Sequence, residues 1–327
     1  MTRGLVAGLA ALVILAVTPG AFAADHQTTV YRFQDSRITE SSDLLDYGSL
    51  DVTTNDSGDG PYVYVVDAGT GATVGRTDFG ADVQDVEAIA PAGPGEVWVG
   101  DIGDNAHQRS TVQVYRVPFA AAELTVHAAA YRLGYPDGPH DAESLIAAPD
   151  GRLYVISKGI TGGTVYAAPL HLSPSDVNEL TRVATVDDFA TDAALFPGGH
   201  YVIVRGYGAA SVYTFPAFHD VGSFGLPRQR QGEGISIGPA DRIRLSSEGA
   251  AAPVLQIRVP EGLAYTVGVP GATAPVTPSS RPTAAPDEPE PGTAQRSAGD
   301  DRGWLWWAVP GVLVVGAAGL VLRRRSR

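Results

Sequence analysis

The chain has 327 residues, 44% hydrophobic and 18% charged, with a formal net charge of −13 and no cysteine. That composition suits a globular core of one large domain or two small ones. The acidic balance argues against a nucleic-acid partner, which needs a basic footprint, and the lack of thiols excludes cysteine catalysis and cysteine-ligated metal centres.

The first element is "MTRGLVAGLAALVILAVTPGAFA", residues 1–23. One Arg precedes a continuous apolar run, and Ala21-Phe22-Ala23 stands before Ala24. This is the layout of a secretory signal cut after Ala23. The folded body is expected over residues 25–269, opening on the strand "TTVYRF" from Thr28 to Phe33. Five segments of one plan follow: an acidic residue, an apolar strand, a glycine-containing turn, a second alternating strand and a polar end. They are "ESSDLLDYGSLDVTTND", "EAIAPAGPGEVWVGD", "ESLIAAPDGRLYVISK", "DAALFPGGHYVIVRG" and "EGISIGPADRIRLSSE". Their first residues are Glu40, Glu87, Glu143, Asp192 and Glu233, at intervals of 47, 56, 49 and 41 residues. A third strand follows each unit, as in "YVYVVDAG" and "VQVYRVP", and a fourth follows the early ones. "SPSDVNEL" is the one short helix candidate in the body.

Beyond the body, residues 270–303 are rich in Pro, Ala, Ser and Thr and read as an extended stalk. Residues 304–322, "WLWWAVPGVLVVGAAGLVL", form an uncharged run long enough to cross a bilayer, with tryptophans at its start. The basic residues 323–327 then predict a cytoplasmic tail. The expected layout is an extracellular body on a single-pass anchor.

Short antiparallel strands recurring about every 48 residues imply an all-β fold, a β-propeller. Five blades are expected, or six if the long interval after Glu87 hides a degenerate one. "TTVYRF" is expected to complete the last blade and close the ring, with "LAYTVG" as its competitor. The ordered motifs "NDSGDG" (55–60), "DVEAIA" (85–90), "GDIGDN" (100–105), "YPDGPHDAES" (135–144) and "RQGEG" (230–234) resemble those of a family of exported bacterial β-propeller proteins, largely uncharacterised. The resemblance supports the fold and implies no activity.

In a propeller the first strand of each blade lines the central channel, and the second returns to the same rim. That places Glu40, Glu87, Glu143, Asp192 and Glu233 beside the strand ends Asn55 and Asp56, Asp101, Lys158, Arg205 and Glu248, with Asp104 in a loop beyond. So many carboxylates raise one another's pKa unless something compensates. A hard divalent cation, Ca²⁺ foremost, accepts six to eight such oxygens. The candidate ligands are Glu40, Asn55, Glu87, Asp101, Asp104, Glu143, Asp192, Glu233 and Glu248. Acids at strand starts also serve tight turns by accepting backbone N–H bonds. Lys158, the only lysine in the chain, and Arg205 are the candidate catalytic cations. The expected function is a cell-surface binding or scaffold module, monomeric, meeting an extracellular ligand or protein at an acidic rim. The alternative is a metal-dependent hydrolase of phosphoesters or lactones.

Overall fold

The computed structural model describes residues 27–238 and 242–274. The signal segment 1–23, the stalk from residue 275, the apolar run 304–322 and the tail 323–327 lie outside the described residues. Among the described residues no helix is long and apolar enough to cross a membrane.

Five sheets form the five blades of a propeller. An opening strand, β1 (Thr28–Arg32), precedes them. Blade one holds β2 (Ser41–Asp46), β3 (Leu50–Asn55), β4 (Tyr62–Asp67) and β5 (Thr73–Asp78). Blade two runs β6 (Val86–Gly93), β7 (Glu96–Asp101), β8 (Val112–Pro118), then, after the short β9 (Glu123–Thr125), β10 (Ala130–Gly134). Blade three holds β11 (Ala142–Ala147), β12 (Leu153–Ser157) and β13 (Gly163–Ala167), then, past β14 (Val177–Glu179), β15 (Thr181–Val186). Blade four is β16 (Asp192–Leu195), β17 (Tyr201–Arg205), β18 (Ala209–Thr214) and β19 (Asp220–Gly225). Blade five is β20 (Ile235–Ile237), β21 (Ile243–Leu245) and β22 (Pro253–Ile257).

β1 pairs antiparallel with β22, so the first strand of the body completes the last blade, as expected. The competing segment "LAYTVG" lies largely in a helix, α1 (Glu261–Thr266). Pro260 ends the strand path ahead of it, and Glu261 supplies the negative charge favoured in a first helical turn. "SPSDVNEL" is not a helix: it carries β14, laid parallel along β10. The Asn178 amide donates to the carbonyls of Arg132 and Ser173 and its oxygen accepts the Ser173 N–H, which holds the segment extended. β9 lies in the same way along β5, so connectors from the following blades cover these two sheet edges.

The inner strands β2, β6, β11, β16 and β20 touch in cyclic order around the axis. One apolar cluster fills each gap between neighbouring blades, for example Val52, Val63 and Phe79 against Val86, Val97 and Val99. Hydrophobic alternation thus builds the ring, and the ends of the inner strands are left to carry chemistry.

Candidate functional site

The rim acquires its side chains through a repeated backbone irregularity. The β2–β3, β6–β7 and β11–β12 pairings each shift register near the start of the inner strand, leaving Ser42, Glu87 and Glu143 as extra residues. Such β-bulges re-aim a side chain and end regular pairing. The bulge residues of blades one and two meet directly: Ser42 Oγ donates to Glu87 Oε2 at 2.8 Å. In blade one the position equivalent to Glu87 and Glu143 is therefore Ser42, two residues beyond Glu40.

A second equivalence comes from the returning strands. The N–H groups of Asp56, Gly103, Lys158 and Glu248 donate to the carbonyls of Glu40, Asp85, Asp141 and Gln231. One backbone bond thus recurs in four blades, and its donor residue faces the mouth as Asp, Gly, Lys or Glu.

Where blades one and two meet, carboxylate oxygens of Asp56, Asp85 and Glu87 all lie within 4.8 Å of one another, a geometry that could hold a metal ion. Glu87 is buried, at 5% exposure. Burial pushes its carboxyl up to about 10, helped by the charges of Glu143, Asp56 and Asp85. Asp85 is pushed up to about 6 by burial and by Asp56. Among the described residues no Lys, Arg or His forms an ion pair with any of the three. Gly103 leaves the space they occupy: a Cβ there would stand 2.4 Å from Asp85 Oδ2 and 2.9 Å from Glu87 Cγ.

The other half of the mouth has a built-in cation. Lys158 Nζ donates to Glu143 Oε1, and to Tyr207 Oη at 3.2 Å. It lies 5.1 Å from the Phe189 ring centre and 5.4 Å from that of Tyr207. Burial alone would lower this ammonium, but the charge and hydrogen bond of Glu143, the charge of Glu233 and the hydrogen bond to Tyr207 carry it above its ordinary value. Glu143 is pushed up to about 8 by burial, against the pull of Lys158, and its Oε2 is buried without a partner. Glu233 is raised by burial, and Glu248 is pushed up to about 7 by burial and by the charge of Glu233.

The remaining candidates are placed elsewhere. Glu40 is exposed and its backbone bridges that of Glu248. Asn55 accepts the N–H groups of Thr39 and Glu40, and Asp101 those of Gln84 and Asp85, so both brace the chain entering an inner strand. Asp101 also accepts from Arg109 Nη1 at 2.8 Å. Asp104 accepts the N–H groups of Gln108 and Arg109 and fixes its own loop. Asp192 is fully buried and accepts the N–H groups of Ala193 and Ile235. Burial and the charge of Asp43 beside it push its carboxyl well above the ordinary carboxylate range. Arg205 has no exposed surface, and its guanidinium donates to the carbonyls of Gly234 and Ser246 and to Gln229 Oε1.

Ser42, Asp56, Asp85 and Gly103 were outside the candidate set. One signal for Asp85 is in the sequence: Asp-x-Glu recurs at Asp85–Glu87 and Asp141–Glu143.

No protein-family model matches the chain, and no curated protein matches it. Solved structures show similar folds. Hydrazine synthase of Kuenenia stuttgartiensis aligns at 15% identity over 71% of this chain and 59% of that one, with TM-score 0.37. A gluconolactonase of Xanthomonas campestris aligns at 16% identity over 65% of this chain and 70% of that one, with TM-score 0.41. Virginiamycin B lyase of Staphylococcus aureus aligns at 10% identity over 67% of this chain and 66% of that one, with TM-score 0.36. The chain spans less than two thirds of the hydrazine synthase. At such identities the likeness carries nothing about chemistry.

Proposed function

We propose that this protein is a cell-surface binding module whose propeller mouth holds one divalent cation, Ca²⁺ foremost, between Asp56, Asp85 and Glu87. The observation that supports it is the uncompensated cluster itself: three carboxylates within 4.8 Å of one another and no ion-pair partner for any of them among the described residues. Three carboxylates supply at most six oxygens, and Ca²⁺ takes six to eight. The open positions would go to water or to the oxygen atoms of an extracellular ligand. The predicted signal at 1–23 and apolar run at 304–322 would place this mouth outside the cell on a single-pass anchor.

A metal-dependent hydrolase of phosphoesters or lactones is the second reading. Its support is Lys158, a fixed cation sharing the mouth with the cluster. Held protonated by Glu143, it would steady developing negative charge rather than take up a proton. Calorimetric titration of the full-length protein with calcium chloride tests the first reading, and expected is one site lost in Glu87→Gln. No calcium uptake by the wild type overturns it. A screen of phosphoesters and lactones with Ca²⁺, Mg²⁺ and Mn²⁺ tests the second, which turnover would establish.

A further inference from the structure

We propose that the Lys158 ammonium occupies a second cation site of the mouth, so that this lysine sets the number of free cations bound there to one. The inference rests on the proposed cation at Asp56, Asp85 and Glu87 for that number, but not for the existence of the second site.

The repeat carries the argument. Asp56 and Lys158 stand at the same blade position, marked by the same backbone bond: their N–H groups donate to Glu40 and Asp141 at 2.9 and 2.8 Å. Each meets a glutamate from a bulge position. Asp56 faces Glu87 and adds a negative charge; Lys158 faces Glu143 and cancels one. Blades one and two therefore leave a cluster without a cation, and blades three to five hold a cluster with one attached to the chain.

The surroundings of the ammonium are those of a cation site. The Glu143 carboxylate and the Tyr207 hydroxyl accept from it, the charge of Glu233 raises it further, and the rings of Phe189 and Tyr207 face it. Aromatic faces attract cations through their quadrupole. An independent sign of a further ligand position is Glu143 Oε2, which is buried and without a partner on a residue only 5% exposed. One ammonium cannot satisfy both oxygens of Glu143 along with Glu233 and Glu248. A divalent cation in its place would meet more of them.

The experiment titrates the full-length chain with calcium chloride alone. Lys158→Met keeps a stem that packs on the two rings and removes the charge. Expected are one calcium in the wild type, two in Lys158→Met, and one again in Lys158→Met/Glu233→Gln. Lys158→Arg, which keeps the charge, is expected to bind one. If Lys158→Met binds the same number as the wild type, the inference is overturned while the wild-type stoichiometry still reports on the first cluster. If the wild type binds none and Lys158→Met binds one, the inference stands and the reading of the first cluster fails. Should the Met variant not fold, Lys158→Gln, which also removes the charge, is titrated in its place, and a folded Gln variant with no added calcium site overturns the proposal.

Discussion

Glu87 concentrates the chemistry of the mouth because its position combines burial with like charge. Among the described residues its carboxylate has one neutral donor, Ser42 Oγ, and two acidic neighbours. Glu87→Gln removes the cost of burying a carboxyl that must take up a proton to fold at neutral pH. In chelator the variant should therefore melt higher than wild type, by roughly 2–4 °C for each kcal/mol relieved, and the calcium-induced rise in Tm should vanish. A variant that melts lower in chelator and still responds to calcium would refute this. Gly103→Ala tests the space beside it. The added methyl would stand 2.4 Å from Asp85 Oδ2, so one of the two must shift. Calcium affinity should fall by at least about tenfold, equivalent to ~1.4 kcal/mol, with the fold retained as judged by circular dichroism. Glu87, Glu143 and Glu233 were legible in the sequence because three of the repeats open on the same residue type, at a bulge in blades two and three and just ahead of β20 in blade five. Ser42 was not, and Asp56 was legible as a strand end at the rim with Asn55 but not as a ligand. A bulge adds one residue to a strand without any mark in the sequence, so the acid of "ESS" aligned with Glu87 when the serine two places later is its equivalent. Asp101 and Asp104 looked like ligands for their residue type, yet their oxygens go to backbone N–H groups, an assignment that only coordinates reveal.

At the scale of the element, the ring depends on its seam. β1 returns to blade five, and Tyr31 on it donates to Asp51 Oδ2 at 2.6 Å. The other Asp51 oxygen accepts from Arg244 of β21, whose Nε lies 3.3 Å from Asp46. Asp51 is fully buried, and burial pushes its carboxyl up to about 6. Three chain regions far apart in sequence are thus tied by one hydrogen-bonded ion pair. Asp51→Ala would leave Arg244 and Tyr31 without this partner in the seam. Breaking such a pair from one side costs about 3–5 kcal/mol, so a Tm loss of order 10 °C is expected. Tyr31→Phe removes one hydrogen bond and leaves the ion pair, so its loss should be much smaller, about 1 kcal/mol. Equal losses in the two variants would show that the seam is held by packing alone. The closing role of "TTVYRF" was readable from its place before the first repeat, and its alternation fits a strand. The helix after Pro260 was not, because "LAYTVG" has strand-forming residues and only the finished last blade leaves it no edge to join.

The molecule as a whole carries an acidic mouth on an acidic chain, and this sets its response to pH. Burial raises Asp43 to about 7, Glu143 to about 8 and Glu87 to about 10, and raises Asp192 in the same direction. Each of these groups binds protons more tightly folded than unfolded. Their contribution to stability is then fully present below the unfolded carboxylate range, near pH 4, and is lost as pH rises through the folded values. In chelator, Tm should fall steadily between about pH 5 and pH 9, opposite to a protein held by surface carboxylate ion pairs. Calcium competes with protons for the same oxygens, so its affinity should rise with pH. Saturating calcium should therefore flatten the fall, and Glu87→Gln should remove most of the difference between the two curves. Whatever decline survives in the variant, with or without calcium, belongs to the other buried carboxyls, Asp43, Asp51, Asp85 and Asp192, and to the Glu143 side of the mouth. Parallel curves with and without calcium in the wild type would separate the pH response from any cation and leave the acidic mouth as electrostatic strain alone.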